Sequence, residues 1–125
     1  MAFYTDQQIQ MLADALKGSD KAQENLQRQG KPELILVHDV LLYDDERAME
    51  TLHDNGHDDL GLFVTAVTGD PYAVQALFDG KQAKLAMAAG AVLGDERSIE
   101  WLKKNGHKAY LHLADAVKAA LSDDE

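Results

Sequence analysis

The feature that most constrains this chain is an internal repeat. A small polar residue, a leucine seven positions later and a glycine three or four further on recur as Ser19/Leu26/Gly30, Asp45/Leu52/Gly56, Asp70/Leu77/Gly80 and Asp95/Leu102/Gly106. The leucines are 26, 25 and 25 residues apart. The second and fourth copies share whole strings, Asp45-Glu46-Arg47 with Asp95-Glu96-Arg97 and Asn55-Gly56-His57 with Asn105-Gly106-His107. Self-similarity at this period marks a chain built by stacking one small unit, because a single unit cannot bury its own apolar face.

The unit reads as a pair of helices. Ala (18) and Leu (17) together exceed Val, Ile and Thr combined (14), and the chain has only two prolines, a balance that favours helix over strand. Ser or Asp at each start can accept from the orphan amides of a first helical turn, and Gly at each end can supply positive φ. The Asn-Gly pairs suit hairpin turns as well, but their flanks run at helical rather than alternating spacing. The predicted helices are 6–17, 20–29, 32–43, 46–54, 58–68, 71–78, 81–93, 96–104 and 108–121. The expectation is an all-α single domain over 1–125, with about nine short helices in four and a half antiparallel helix-pair repeats of ~25 residues, stacked as an α-solenoid, with a plain helical bundle as the alternative.

The two helices of a pair differ in composition, which gives the stack an inside and an outside. Leu34-Ile35-Leu36-Val37, Leu62-Phe63-Val64 and Leu85-Ala86-Met87-Ala88-Ala89 run through whole turns without a polar face, as buried helices do. The alternate helices offer one thin stripe, such as Ala22 and Leu26, or Ile99, Trp101 and Leu102. Extending the register outward aligns Lys17, Leu41, Val67, Val92 and Lys118, with polar residues only in the first and last helices. Terminal repeats of an array carry a solvated face, so this reading expects Lys17 and Lys118 in water and a chain complete at both ends.

Gly69-Asp70-Pro71-Tyr72-Ala73-Val74-Gln75-Ala76-Leu77 resembles the second helix of an ankyrin repeat, and Leu111-His112-Leu113-Ala114 resembles that family's first-helix signature. The period here is about eight residues short of the ankyrin 33, roughly the size of the projecting β-hairpin. Only His107 and Lys108-Ala109-Tyr110 separate Gly106 from Leu111, and the usual Thr-Pro pair is absent. The resemblance implies a degenerate, hairpin-less ankyrin-like scaffold that binds proteins, without the hairpin tips through which that family commonly binds.

Charge narrows the partners. The net charge is −10, and residues 31–60 hold nine acids against two bases. That balance opposes direct nucleic-acid binding, which needs Lys and Arg to replace condensed counterions. No apolar run approaches the roughly 18 residues of a membrane span, and the start Met1-Ala-Phe-Tyr-Thr-Asp has neither a basic nor an apolar leader region. The absence of cysteine excludes disulfides, thiolate metal sites and a thiol nucleophile. The expected setting is cytoplasmic, with no membrane contact and no cofactor.

Little in the sequence suggests chemistry. His53 and His57 have the spacing of a zinc pair on one helix face, but Asn55-Gly56 between them ends one helix before the next begins. The run Asp54-Asn55-Gly56-His57-Asp58-Asp59 has its glycine third, where a calcium loop needs it sixth, and solvated helix ends explain it. Acids in the first turn complement the helix dipole, which gives Asp45, Glu46, Asp58, Asp59, Asp95 and Glu96 a structural purpose as the alternative to binding. No serine lies in a strained nucleophile elbow and no Gly-rich phosphate loop occurs, so no catalytic residue and no metal site is assigned. His38 and Asp39 interrupt the most apolar helix, with Thr65 and Gly90 in the slot equivalent to Asp39. That slot is either a solvent-facing ridge or a binding groove. The residues expected to meet a partner are therefore His38, Asp39, Asp44, Asp45, Asp58, Asp59 and Thr65.

Three functions remain open on the sequence. The first is a protein-protein interaction module with a basic protein partner. The second is an acidic inhibitor or nucleic-acid mimic, as viruses and mobile elements use, although Lys103, Lys104 and Lys108 interrupt its charge. The third is a small metal-dependent enzyme centred on the histidines.

Overall fold

The computed structural model describes residues 4–122. Among them it contains nine α-helices and no strand: α1 (Asp6–Leu16), α2 (Asp20–Arg28), α3 (Pro32–Tyr43), α4 (Glu46–Asp54), α5 (Asp58–Val67), α6 (Pro71–Asp79), α7 (Ala83–Val92), α8 (Glu96–Lys104) and α9 (Lys108–Ser122). None of them is long and apolar enough to cross a membrane.

The repeated polar residues are the caps the sequence leads one to expect. The side chains of Ser19, Asp45, Asp70 and Asp95 accept from amides in the first turns of α2, α4, α6 and α8. Thr5 forms a reciprocal capping box with Gln8 at the start of α1.

The repeated leucines act twice. The side chains of Leu26, Leu52, Leu77 and Leu102 are buried, at 0–1% exposure. Their carbonyls also accept from the amides of Lys31, His57, Gln82 and His107 at 3.0, 2.8, 2.8 and 2.9 Å, which closes each turn as a Schellman motif. That motif needs one left-handed residue, supplied by Gly30, Gly56 and Gly106 at φ of 72°, 79° and 73°. In the third copy the glycine stands one position early. Gly80 has φ −83° and Lys81 takes the left-handed position at φ 64°. The turn is fixed by its distance from the leucine, so the structure keeps that distance and strains a lysine.

Tight turns make successive helices antiparallel and sort them into two layers. α1, α3, α5, α7 and α9 form the inner layer, and each touches the next. α2, α4, α6 and α8 each touch the inner helices before and after them, and so lie over the gaps. An outer helix such as α2 buries only Ala22 and Leu26. Burying a leucine contributes about 1.5–3 kcal/mol, so one side chain largely anchors each of these short helices.

The ends of the stack meet. The most extensive helix-helix contact in the molecule joins α1 to α9, and α3 also touches α9. In an open solenoid each repeat touches only its neighbours. Here the inner helices make a closed ring around one core that includes Ile9, Leu34, Phe63, Ala89 and Leu113.

Closure also revises the register at the ends. Counted from the residue preceding each inner helix, namely Thr5, Lys31, His57, Gln82 and His107, the equivalent positions are Ala15, Leu41, Val67, Val92 and Val117. All five are buried. Lys17 and Lys118 are exposed, as the sequence suggests, but they lie two and one positions beyond that slot. The first and last helices are apolar there because they cover one another.

Candidate functional site

The inner helices start at one end of the ring. Tyr4, just before α1, donates to Glu33 in the first turn of α3, and the Gln82 amide before α7 donates to Asp59 in the first turn of α5. The expected partner-binding residues therefore fall into two groups. Asp39, Asp44 and Asp45 lie toward the end of α3, whereas Asp58 and Asp59 open α5 at the other end. At about 1.5 Å per residue, a helix of this length separates them by roughly 15 Å.

Their environments differ as much as their positions. His38 is buried at 3% exposure, with Nδ1 2.9 Å from Asp39 Oδ1 and its ring edge-on to Tyr43. The carboxylate can only accept, so His38 donates to it and supports Asp39 from below rather than facing a partner. Asp44 is the exposed left-handed residue that ends α3, at φ 52°. Asp45 is occupied in capping α4, through bonds from the Arg47 and Ala48 amides. Asp59 is held by Gln82.

Asp58 and Thr65 reach a common surface. On α5, Asp58, Gly61, Leu62 and Thr65 share one face by helical spacing, and that face is left open between α4 and α6. Over it run two adjoining cavities of about 580 and 450 Å³, and a third of about 490 Å³, lined only by α4, continues from them at Met49 and His53. The first two share His57, Asp58 and Leu62, and the last two share Met49 and His53, so together they form one groove.

The histidines of the supposed zinc pair both line this groove, as the last turn of α4 and the residue before α5. His53 Nδ1 lies 2.9 Å from Asp58 Oδ1, an exposed contact that ties the two helices together. Among the described residues no group of three or more His, Asp or Glu is placed to hold a metal ion.

Sequence reasoning missed two things. One is the groove itself, with Met49 and Gly61 in it. The signal was present: Gly61 and Gly90 lie inside predicted helices rather than at their ends. The other is the polar network where the inner helices start. Buried Glu33 accepts from Tyr4 at 2.9 Å, and burial followed by that bond drives the Tyr4 hydroxyl well above the ordinary phenol range. Burial, with Asp6 as a lesser cause, pushes Tyr110 up to about 12. Lys31 and Lys84 lie over the Tyr4 and Tyr110 rings at 5.7 and 5.9 Å. No buried side-chain polar atom among the described residues lacks a partner, so this network is a satisfied one.

The fold defines the molecule as a helical-repeat protein. No protein-family model, no curated protein and no solved structure matches the chain.

Proposed function

We propose that this chain is a protein-protein interaction module, a degenerate ankyrin-like scaffold that holds a basic protein partner on its acidic second and third repeats. One observation carries the proposal. Among the described residues no Asp or Glu forms an ion pair with Lys or Arg; the two acid-base contacts are His38–Asp39 and His53–Asp58. The side chains of Asp44, Glu46, Glu50 and Asp54 are exposed and bond to no other described residue. Those four exposed carboxylates, in a stretch whose net charge over residues 31–60 is −7, are what an external basic partner would neutralise. Such a field is screened over about 8 Å at physiological ionic strength, so it speeds encounter and selects sign more than it deepens affinity.

Selection of a displayed library of peptides and small domains against the immobilised chain tests this. The enriched sequences should be strongly biased toward Lys and Arg, and their association rates should fall steeply with added salt. Enrichment without that bias, or no enrichment, refutes the reading. Recovery only of domains that themselves bind nucleic acid, with DNA competing, would replace it with the nucleic-acid mimic.

A further inference from the structure

We infer that the groove over α5, between α4 and α6, is the docking site for an amphipathic segment of the partner, one that carries an apolar anchor flanked by Lys or Arg. The inference rests on the interaction-module reading and adds the site and the chemistry of its occupant.

Charge and shape select that occupant. The groove floor is apolar, from Met49, Leu62 and Leu77, and its lining contains no Lys or Arg. Asp58 and Asp59 line it directly, and Glu46, Glu50 and Asp54 line its continuation onto α4. An acidic peptide is repelled here, and a purely basic one leaves the floor wet. A segment with an apolar stripe and basic flanks satisfies both parts, as amphipathic helices do in other grooves. Met49 suits such a site because its flexible thioether repacks around different anchors.

Gly61 is the second, independent observation. Glycine inside a helix is destabilising by roughly 0.5–1 kcal/mol relative to alanine. At Gly90, also inside a helix, packing explains it, because a Cβ would collide with Ser98 Oγ where α7 crosses α8. At Gly61 packing does not. A Cβ there would meet only the Met49 methyl and sulfur, at ordinary contact distances of 3.8 and 4.0 Å. The missing side chain serves the depth of the groove beside Met49, the feature an incoming anchor needs, and not the fold.

The test uses a designed amphipathic peptide about four turns long, with leucine on one face and lysine elsewhere. Two relatives accompany it, one with glutamate for lysine and one with serine for leucine. Binding is followed by backbone and methionine-methyl NMR shifts on the whole chain. The first peptide should perturb the Met49 methyl and the amides of Gly61, Leu62 and Thr65 while leaving α8 unmoved. Both relatives should bind at least about tenfold more weakly, a difference of ~1.4 kcal/mol. Gly61→Leu, which fills the groove without altering charge, should lose binding by a similar factor while its melting temperature is held. Glu50→Lys with Asp54→Lys should weaken binding through exposed positions that bear no structural bond. If the basic peptide binds but shifts map to Asp39 and Asp44, or if Gly61→Leu binds as wild type does, the groove is wrong and the module stands. If it binds nowhere on the acidic repeats, the module falls as well.

Discussion

Lys81 occupies a backbone conformation that the other three copies of the same turn give to glycine, and replacing it isolates the energy of that choice. A left-handed residue other than glycine is disfavoured by about 1–2 kcal/mol. Glycine returns about 0.4–1 kcal/mol of this through the greater freedom of its unfolded chain. Lys81→Gly should therefore stabilise the fold by about 0.5–1 kcal/mol. For 125 residues, unfolding entropy at ~2.1 cal/mol/K per residue converts that gain into a rise of about 2–4 °C in melting temperature. Thermal melts followed by helical circular dichroism measure it. Lys81→Ala removes the same charge but keeps the strained φ, and should give no rise. Gly106→Ala makes the converse change at φ 73°, where a Cβ meets nothing within 4 Å, and should lower the midpoint by a similar amount. Equal shifts for Lys81→Gly and Lys81→Ala would show that charge, not backbone, governs the position, and the argument from the turn would fail.

Neighbouring aspartates should respond oppositely. Asp45→Ala removes the cap of α4 and should lower stability by about 1 kcal/mol in urea titration, whereas Asp44→Gly relieves a left-handed residue and should not lower it. Buried Tyr110 and half-buried Tyr4 set an alkaline limit. Because Tyr110 is raised in the folded state to about 12 while the unfolded ring keeps the ordinary phenol value of about 10, the native form holds its proton longer. Its stabilising contribution is complete below the unfolded value and lost as pH climbs toward the folded one, and Tyr4 acts in the same direction. Ultraviolet titration should show a tyrosinate phase that coincides with loss of helical dichroism, and Tyr110→Phe should shrink it. Ionisation of all four rings with the helices intact would contradict this.

What was legible in the sequence was local. Caps, stops and the recurring leucine are each read by the backbone within a few residues, so all nine helices stand where their start and stop residues put them, to within a residue or two. Gly80 misled because a glycine near a helix end looks like the left-handed residue, while the turn is measured from Leu77. The candidate site was legible only in part. Helical periodicity shows that Asp58, Gly61, Leu62 and Thr65 share a face, but whether a neighbour covers that face depends on packing between repeats. Likewise, Asp39, Asp44 and Asp45 are near Asp58 and Asp59 in sequence, yet an intervening antiparallel helix carries the chain back and sets them at opposite ends.

Ring closure was the largest feature beyond sequence reach, and it makes a prediction of its own. The near-repeat of Leu12-Ala13-Asp14-Ala15-Leu16 in Leu113-Ala114-Asp115-Ala116-Val117 reads equally well as two similar end caps or as two faces that meet. The structure chooses the second: α1 and α9 make the most extensive helix-helix contact, and Ala13, Ala15, Ala114 and Ala116 are all buried. In an open array the end helices have a neighbour on one side only, so they fray first and independently. In a closed ring neither can leave without exposing the other. Leu113 lies in α9 at 0% exposure, and Leu113→Ala should cost about 2–5 kcal/mol through the lost contacts and the cavity left behind. Native-state hydrogen exchange should then show α1 amides losing protection by the same free energy as α9 amides, even though the chain between them spans the whole molecule. Protection in α1 that is untouched by the substitution would mean that the ends open separately, and that the contact between them adds nothing to the cooperativity of the fold.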